Sequence, residues 1–511
     1  MAYNVNMFGP IDTFLNGITM YRLVFMGLTI LAIIAVIFGF LGFLPYGGFN
    51  LLISALVLCL LCYGSNYTIS KLFGVQTNYE SSWITGLILF FVLFPVTSAS
   101  DIPFFLLAPI IAMASKYFLA INKKHIFNPT AVSVFIIGLM GSGLGVWWIA
   151  TISMLPFVLV LGFLVLRKTQ KFSLFFSFFI TAILSIFVSF SGNGNILEIY
   201  KQILISWPIF FFGMIMLTEP LTSPPTLKLQ MLYGAFVGIL FGSQFHIGPF
   251  FSTPESVLVI GNVFSYIVSP KFRLTLTLKE KKNLAGETYE FSFLSDKKIR
   301  FKPGQYLEWT LRHQNTDSRG NRRYFTIASS PTEEEIKLGI KFYEGSSSFK
   351  KKLASLNPGD KIFASQLSGN FTLPKEKDKK LVFIAGGIGV TPFRSIIKDL
   401  LDRGERRDIV FFFSNKTSAD LIYKDIFDSA TRSLGIKVIY VVQNINGNES
   451  NSNIKVGYIN ADTIKSEAPD FEDRDFMISG PHSMVIAFEK TLHDIGVPKS
   501  NIKADFFPGY V

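Results

Sequence analysis

The 511-residue chain has only two cysteines and five histidines, and this scarcity excludes several kinds of redox centre. A plant-type iron–sulfur cluster needs four thiolates, so Cys59 and Cys62 of one chain cannot hold one. The two thiols are spaced i, i+3 and share a helix face; this is typical of a small-residue surface, although two chains together could supply four ligands. Haems stacked within a bundle need paired histidines in the spans, and neither His125 nor His246 lies mid-span. A haem-based ferric reductase or NADPH oxidase is thereby nearly excluded.

Charge is scarce in the first half of the chain. Residues 1–270 hold 10 Lys and Arg and 6 Asp and Glu, whereas the rest of the chain holds 38 and 30. Sparse charge with heavy Phe, Leu and Ile content predicts a membrane region followed by a soluble region. The net charge of +12 is spread through loops without a dense basic stretch, so we expect a basic face beside a membrane and no nucleic-acid binding. No basic segment precedes the first apolar run, so the N-terminus does not resemble a cleavable signal.

The apolar runs predict about ten membrane crossings. Two shorter runs, 129–141 and 229–243, are typical of half-spans or inner helices. If both termini are cytoplasmic, the basic loop residues fall on the inner side, so we expect a multi-pass protein of the cell membrane with its soluble region in the cytoplasm. The longer runs lie near 22–44, 51–70, 82–98, 103–120, 146–166, 172–190, 204–218 and 255–270.

Two segments interrupt this apolar pattern, Phe127–Ala131 with its Asn-Pro pair and Thr218–Thr226 with its three prolines. Broken backbone at membrane depth requires protein or a polar cavity around it, and the N-termini of half-helices suit an anionic or polar ligand. Ordinary cytoplasmic loops that start helices with Pro and Thr explain the pattern equally well. Glu219 is the one acidic residue there, so it is either an interfacial cap, a ligand or a proton group.

The order of the spans and these two segments resemble the D subunit of Rnf complexes and the B subunit of the sodium-pumping NADH:quinone oxidoreductase, over roughly residues 20–268. The resemblance implies flavins within the membrane, one of them FMN esterified to a threonine in a Ser-Gly-Ala-Thr-type loop. The corresponding stretch here, Gly141–Val146, lacks that threonine. We therefore expect non-covalent FMN or riboflavin near the broken segments. Its candidate ligands are Asn128, Thr218, Glu219, Thr222 and Ser223.

The soluble region opens with an alternating pattern that predicts an antiparallel β-barrel up to about residue 376, with strands such as Phe272–Leu278 and Tyr289–Phe293. Within it, Arg323 and Phe325 share a strand face, where an Arg fork suits phosphate and an aromatic ring can stack on a flat ligand. The stretch Gly345–Phe349 opens a helix whose free N–H groups suit a pyrophosphate. Either motif alone is weak, because an Arg on a strand is usually a solvated charge.

A glycine turn follows a buried strand at residues 381–385. We expect Thr391 to be the N-cap and Pro392 the first residue of the next helix. Strands at 409–414, 436–442 and 475–479 complete a predicted five-stranded parallel sheet, and such sheets bind ligands at the carboxyl ends of their strands. The spacing differs from G-x-G-x-x-G, and a tight turn without a ligand is the alternative.

In this order, the motifs of residues 272–511 resemble the ferredoxin–NADP reductase family. The resemblance implies that Arg323 contacts an FAD phosphate, that Phe325 takes the place of a Tyr on the isoalloxazine, and that Thr326 lies near flavin N5. Tyr324 belongs to the same motif. The resemblance also implies that Gly345, Ser347 and Ser348 seat the FAD pyrophosphate.

The same resemblance implies a nicotinamide site. Gly386, Gly387, Gly389 and Thr391, followed by Pro392, would line the dinucleotide phosphates. Ser479-Gly480-Pro481 replaces the family's Cys-Gly-Pro turn, and Phe507 of the C-terminal aromatic signature would cover the flavin. Ser414, Asn415 and Lys416 follow the second strand, where the adenosine ribose lies; Lys416 could favour a 2′-phosphate, but exposed loop lysines are common, so NADH versus NADPH stays open.

Together these patterns predict an α-helical polytopic membrane domain over 1–270, a β-barrel FAD domain over 271–376 and an α/β parallel-sheet NAD(P) domain over 377–511. The predicted activity is NAD(P)H:acceptor oxidoreductase, with Thr326, Ser479 and Phe507 as catalytic candidates. Electrons would pass through FAD into the membrane domain, to a flavin, a quinone or an extracytoplasmic acceptor. A redox-driven cation pump and a reductase merely anchored by an inert bundle are the alternatives. A homodimer and further subunits are open.

Overall fold

The chain divides into two compact units between Lys271 and Phe272. The structure is a computed structural model. It describes residues 11–12, 14–15, 18–73, 79–95, 99–121, 124–190, 196–243, 245–247, 250–269, 273–314, 316–317, 321–444 and 454–507.

The first unit is mostly helical in the residues that the structure describes, with two short antiparallel strand pairs, Ala120–Ile121 with Lys124–His125 and His246–Ile247 with Phe250–Phe251. Its α-helices are rich in apolar residues, as expected of helices surrounded by lipid and by one another. The helices are α1 (Met20–Phe40), α2 (Gly48–Leu72), α3 (Tyr79–Val92), α4 (Ile102–Phe118), α5 (Pro129–Leu139), α6 (Leu155–Thr169), α7 (Phe172–Phe190), α8 (Ile196–Ser206), α9 (Ile209–Phe211, continued as a π-helix over Phe212–Met216), α10 (Leu227–Gly242) and α11 (Pro254–Val268).

The expectation of about ten spans is wrong by helix length and composition. In the described part of the chain, four helices are long and apolar enough to cross a membrane: Met20–Phe40, Gly48–Leu72, Ala99–Phe118 and Phe172–Phe190. The pair Glu198–Ser206 and Ile209–Met216, bent by 55°, makes a fifth if it is one span. The helices α3, α5, α10 and α11 have 11 to 16 residues. At about 1.5 Å per residue they are shorter than a hydrocarbon core of about 30 Å.

One predicted span begins as an apolar loop. The run from residue 146 enters α6 only at Leu155. Before that, its backbone follows the end of α3, where the Trp147 N–H donates to the Val92 carbonyl at 2.9 Å and the Phe94 N–H donates to the Leu144 carbonyl at 2.8 Å. Hydropathy counts such buried loop residues together with helix, and so it overestimates the length of this span.

Helices α7 and α10 approach closely along a stripe of glycines. A Cβ at Gly234 would lie 2.5 Å from the Leu174 carbonyl oxygen, one at Gly238 would lie 2.5 Å from that of Phe178, and one at Gly242 would lie 2.8 Å from that of Ala182. The glycines are four residues apart and therefore share one helix face. Small residues at this spacing let two membrane helices pack backbone to backbone.

The second unit begins with a six-stranded antiparallel sheet in the order β4-β3-β6-β1-β2-β5. Trp309, Phe291 and Phe293 are fully buried in its core. Its elements are β1 (Arg273–Ala285), β2 (Thr288–Ser295), β3 (Tyr306–Thr310), β4 (Arg322–Thr326), β5 (Ile336–Lys341), α12 (Ser348–Ala354) and β6 (Lys361–Ser368).

A six-stranded parallel sheet follows, in the order β10-β9-β8-β7-β11-β12, and the expected five strands are one too few. The edge strand β10 has three residues, too few for a periodic pattern, and β12 carries Lys503 and Asp505 among its apolar residues. The elements are β7 (Leu381–Gly386), α13 (Thr391–Arg403), β8 (Ile409–Thr417), α14 (Lys424–Leu434), β9 (Lys437–Asn444), β10 (Ile454–Val456), α15 (Ala461–Glu467), β11 (Asp475–Pro481), α16 (His482–Asp494) and β12 (Ile502–Phe507).

Replacing Gly238 by Leu is expected to lower the thermal unfolding midpoint of the detergent-solubilised chain by several degrees. The side chain must displace the α7 backbone, and such overpacking costs about 1–3 kcal/mol. Gly64→Leu is the control, because a Cβ at that α2 glycine meets no atom within 4 Å. Equal midpoints for the two variants would contradict the close helix contact.

Candidate functional site

The glycine turn between β7 and α13 lies at the carboxyl edge of the parallel sheet. Gly387 has a left-handed φ of +52° and opens a 3₁₀ turn, Gly387–Val390. A Cβ at Gly389 would lie 2.4 Å from the Ser479 carbonyl oxygen, so only glycine lets this turn pack against β11. A Cβ at Gly387 would meet nothing nearer than Asn415 Oδ1 at 3.8 Å, so the space in front of this residue is open.

The expected helix cap at this turn is wrong by one residue. Thr391 is the first residue of α13 and Val390 holds the N-cap position, because the 3₁₀ turn runs directly into the helix. The Thr391 hydroxyl donates to the Ile388 carbonyl at 3.2 Å rather than capping an N–H group. Pro392 accordingly is the second helical residue. The N–H groups at the start of α13 are still directed toward the carboxyl edge of the sheet.

Two buried polar groups beside this turn have no hydrogen-bond partner among the residues that the structure describes. They are the Ser479 hydroxyl and the Asn415 side-chain NH₂. Ser479 is opposite Ala385 of β7, and the neighbour of Asn415, Ser414, is opposite Gly386. Because buried polar groups are nearly always paired, these two donors fit a polar ligand at the strand ends. Asn415 lies within β8, as do Ser414 and the exposed Lys416, and not after the strand as predicted.

The predicted Ser479-Gly480-Pro481 turn forms the end of β11, and the last described strand runs beside it. Pro481 is in register with Phe507, and Ser479 is in register with Asp505. The backbone therefore brings the C-terminal aromatic segment to the same edge as the glycine turn. Burial raises the pKa of Asp505 to about 6.

Arg323 and Ser348 of the antiparallel sheet region converge on one anion, the Asp317 carboxylate. Arg323 Nη2 donates to Asp317 Oδ1 at 3.2 Å, and the backbone N–H of Ser348, at the start of α12, donates to Asp317 Oδ2 at 3.0 Å. A guanidinium and a helix N–H group that hold a carboxylate together are a donor set that fits a pyrophosphate equally well. Arg323 and Ser348 are among the predicted site residues, whereas Asp317 is not.

The prediction that Arg323 and Phe325 share a face agrees with the structure, since both contact the Phe349 ring. The guanidinium carbon lies 5.4 Å from the ring centroid, and the Phe325 centroid lies 5.8 Å from it. Tyr324 points the other way, is 48% exposed and donates its hydroxyl to Glu308 at 2.9 Å. Thr326 is buried opposite Tyr306.

The remaining predicted residues of this region shape the start of α12. Gly345 has a φ of +80° in the preceding turn. The Ser347 hydroxyl is the N-cap and accepts the Lys350 N–H at 3.3 Å. Both residues therefore leave the N–H of Ser348 directed outward from the helix.

In the first unit, the two broken segments meet at Glu219. His125 Nε2 lies 3.2 Å from Glu219 Oε1, while Asn128 Nδ2 and the Thr222 hydroxyl donate to Oε2 at 2.9 and 3.2 Å. Thr218 and Ser223 instead form hydrogen bonds within their own segment. The Thr218 hydroxyl donates to the Met214 carbonyl at 2.8 Å, and the Ser223 hydroxyl donates to the Glu219 carbonyl at 2.7 Å. The predicted group thus divides into side chains on the carboxylate and side chains that fix its backbone.

A cavity of about 50 Å³ adjoins this cluster and is lined by Asn128, Glu219 and Lys116 among others. The Lys116 ammonium donates to the carbonyl and hydroxyl of Ser81 and to the Thr85 hydroxyl, each at 3.0 Å. Lys116 is not among the predicted site residues, although a lone charge in an apolar run is a usable signal of a functional site.

A second carboxylate of the first unit is Glu255. It is buried in the first turn of α11 and accepts the Trp147 ring N–H at 2.9 Å. In the described residues, no group of three or more His, Cys, Asp or Glu side chains is placed to hold a metal ion. Cys59 and Cys62 are buried free thiols.

Comparisons with known proteins match this second unit. Residues 275–372 match the oxidoreductase FAD-binding domain family, and residues 383–490 match the oxidoreductase NAD-binding domain family. NADH-cytochrome b5 reductase 1 of Mortierella alpina is 28% identical over 240 residues, 46% of this chain and 78% of that protein. The chain therefore carries the domains of an FAD-dependent NAD(P)H oxidoreductase.

Other relatives match this chain over smaller shares of their own length. Flavohemoprotein A of Dictyostelium discoideum is 25% identical over 40% of this chain and 52% of its own length. The F subunit of the Na(+)-translocating NADH-quinone reductase of Yersinia pestis is 33% identical over 30% of this chain and 39% of its own. The chain thus spans about half the length of the flavohaemoproteins it matches. The FAD/NAD-binding domain of the Vibrio cholerae nitric oxide dioxygenase is 18% identical, with a TM-score of 0.41, over 46% of this chain and 98% of that domain.

Replacing Gly387 by Ala is expected to weaken NAD(P)H binding about tenfold or more while FAD content stays unchanged. The methyl group would occupy the open space where the phosphates approach the backbone. The measurement is the Kd of NADH and of NADPH for the full chain. Gly404→Ala is the matched control, since Gly404 also has a positive φ of +62° and open space around its Cβ. Equal losses in both variants would indicate backbone strain alone.

Replacing Arg323 by Gln is expected to weaken FAD binding roughly tenfold to a hundredfold, because one charge-assisted contact is worth about 1.5–3 kcal/mol. The measurement is FAD retained after purification and its Kd on re-addition. Arg322→Gln serves as control, because Arg322 lies on the opposite strand face, 3.4 Å from Glu308. FAD retention equal to that of the control would contradict the assignment.

Proposed function

We propose that the chain is a membrane-bound NAD(P)H:acceptor oxidoreductase that takes electrons from the nicotinamide at its second unit and delivers them to an acceptor in its first unit. The observation that carries the proposal is that Ser479 and Asn415 are buried donors without a partner among the described residues, beside a glycine turn with open space in front of Gly387. The FAD- and NAD-binding family matches support the same assignment.

The residues of the second unit would each have a simple task. When bound, FAD supplies two-electron oxidation of the nicotinamide and one-electron reduction of an acceptor. Arg323 and the Ser348 N–H would hold its pyrophosphate, replacing the Asp317 carboxylate as their anion. Thr326 would lie beside the flavin ring, and Ser479 would orient the nicotinamide. The Gly387–Val390 turn and the start of α13 would bind the dinucleotide phosphates.

The first unit offers polar groups for an acceptor beside its cavity, which at about 50 Å³ must widen to admit a flavin or quinone ring. A carbonyl oxygen of a flavin or quinone could accept from the Lys116 ammonium in place of one of its three present acceptors, and a ring N–H or hydroxyl could donate to Glu219. Asn128 supplies a further polar contact, and the other walls include Val24, Ile84 and Ile88. Ionisable groups placed within membrane units generally mark functional sites. The likeness of residues 20–268 to flavin-holding membrane subunits favours a non-covalent flavin, FMN or riboflavin, in this place.

The decisive experiment counts flavins in the full chain purified in mild detergent. We expect FAD and a second, extractable flavin, and we expect Lys116→Met and Glu219→Gln to lower the second without changing the first. Lys201→Met is the control, since Lys201 is an exposed lysine paired with Glu198 at 3.2 Å.

A single FAD per chain, with equal rates of reduction of an added short-chain quinone in wild type, Lys116→Met and Lys201→Met, would contradict an acceptor site in the first unit. That outcome would support the alternative of a reductase that is merely anchored by an inert helix bundle.

A further inference from the structure

Arg394 is a buried arginine that joins the two sheets of the second unit. It lies in the first turn of α13, and its side chain is 4% exposed. Both of its terminal nitrogens bind the Glu333 carboxylate, with Nη2 donating to Oε1 at 2.9 Å. Nη1 also donates to the Ala328 carbonyl at 3.1 Å. One side chain therefore connects the helix of the parallel sheet with the segment that follows β4.

Each end of this connection is next to one half of the candidate site. On one side, Ala328 is two residues beyond Thr326, which lies in the proposed FAD site. On the other side, Arg394 is one helical turn beyond Thr391, which ends the glycine turn. A shift of the guanidinium relative to Glu333 would therefore change the spacing of the two half-sites directly.

Further contacts hold α13 to the same segment. The Ser395 hydroxyl donates to the Ser329 carbonyl at 2.6 Å, and the Ser330 hydroxyl donates to Asp399 at 3.3 Å. These bonds are neutral or near the surface. Arg394 is the buried charged member of the set, and its planar guanidinium fixes direction as well as distance.

The Glu333 carboxylate is itself held from several directions. It accepts the Ser330 N–H at 2.7 Å and lies 3.5 Å from the Lys337 ammonium, which lies equally close to Glu290. Desolvation offsets much of the attraction in a buried ion pair, so such a pair is weak grounds for a role in stability. A carboxylate held in this way is suited instead to fixing the geometry of its partner.

We infer that Arg394 is a positioning residue that sets the separation of the FAD-binding sheet and the nucleotide-binding helix. It thereby controls the rate of electron transfer from bound NAD(P)H rather than the affinity for it. The rate part of this inference rests on the proposed function, whereas the separation itself is measurable without any cofactor.

The test compares Arg394→Met with a matched control, Arg474→Met, in the full chain. Arg474 is also buried, at 7% side-chain exposure, and its guanidinium lies 2.8 Å from Asp408 and 2.6 Å from Asp470. Its partners flank the amino ends of the parallel strands, away from the antiparallel sheet. Both variants therefore lose a buried guanidinium that binds carboxylates, but only one loses the connection between the sheets.

The first readout is the distance between spin labels on Lys297→Cys and Lys490→Cys, both exposed positions, one in each sheet region. The buried Cys59 and Cys62 are changed to Ser in every sample. We expect a broadened or shifted distance distribution for Arg394→Met and an unchanged one for Arg474→Met. Glu333→Gln, which keeps the bond from Arg394 to Ala328, should give an intermediate result and serves if Arg394→Met does not fold.

The second readout is flavin bleaching at saturating NADH or NADPH. We expect the rate to fall roughly tenfold to a hundredfold in Arg394→Met, as for a displacement of about 1 Å, with partial rescue in Arg394→Lys. The Kd of the nucleotide and the FAD content should stay within twofold of wild type. Identical distances and rates in the Arg394 and Arg474 variants would overturn the inference. A wild-type chain that bleaches with neither nucleotide would instead overturn the proposed function and leave the distance result standing.

Discussion

A buried hydrogen-bond donor without a partner costs about 1–3 kcal/mol. The described residues of the second unit include two such donors at the carboxyl edge of its parallel sheet. Ser479 and Asn415 lie on strands that flank β7, and the glycine turn between them leaves space where a side chain would otherwise stand. A protein that keeps this arrangement gains from a ligand that completes it. The ligand that fits there is a dinucleotide with its phosphates at the start of α13.

The same cost of an unpaired polar group applies in the first unit, but there the polar groups beside the cavity have partners within the chain. There the partly buried carboxylate of Glu219 has partners from both broken segments, and the Lys116 ammonium is bound by hydroxyl and carbonyl oxygens of α3. An ammonium and a carboxylate line one small cavity without contacting each other. Charged groups are costly to place in an apolar surrounding. Here the ammonium and the carboxylate stand where a polar ring between them could bind both.

Local patterns predicted those parts of the fold that depend on neighbouring residues. The glycine turn, the shared face of Arg323 and Phe325, and Asn128 at a helix start all follow from spacing alone. The Gly234, Gly238 and Gly242 stripe was equally available from spacing and was missed. Residues whose role depends on tertiary contact were beyond reach: Asp317 binds Arg323 across a loop, Glu255 is buried by Trp147, and Arg394 finds Glu333 from another sheet. Hydropathy also gave too many spans, because several apolar runs form helices that are shorter than a membrane crossing and one begins as a loop.

The central claim is that the second unit binds FAD and a reduced nicotinamide dinucleotide in productive contact. Its most direct test is an anaerobic titration of the FAD-loaded full chain with NADH and, separately, NADPH, followed by the flavin absorbance near 450 nm, the usual band of oxidised flavin. The account predicts that at least one of the two bleaches the FAD at about one equivalent per site. A chain that holds FAD yet keeps its full absorbance with an excess of both nucleotides would contradict it.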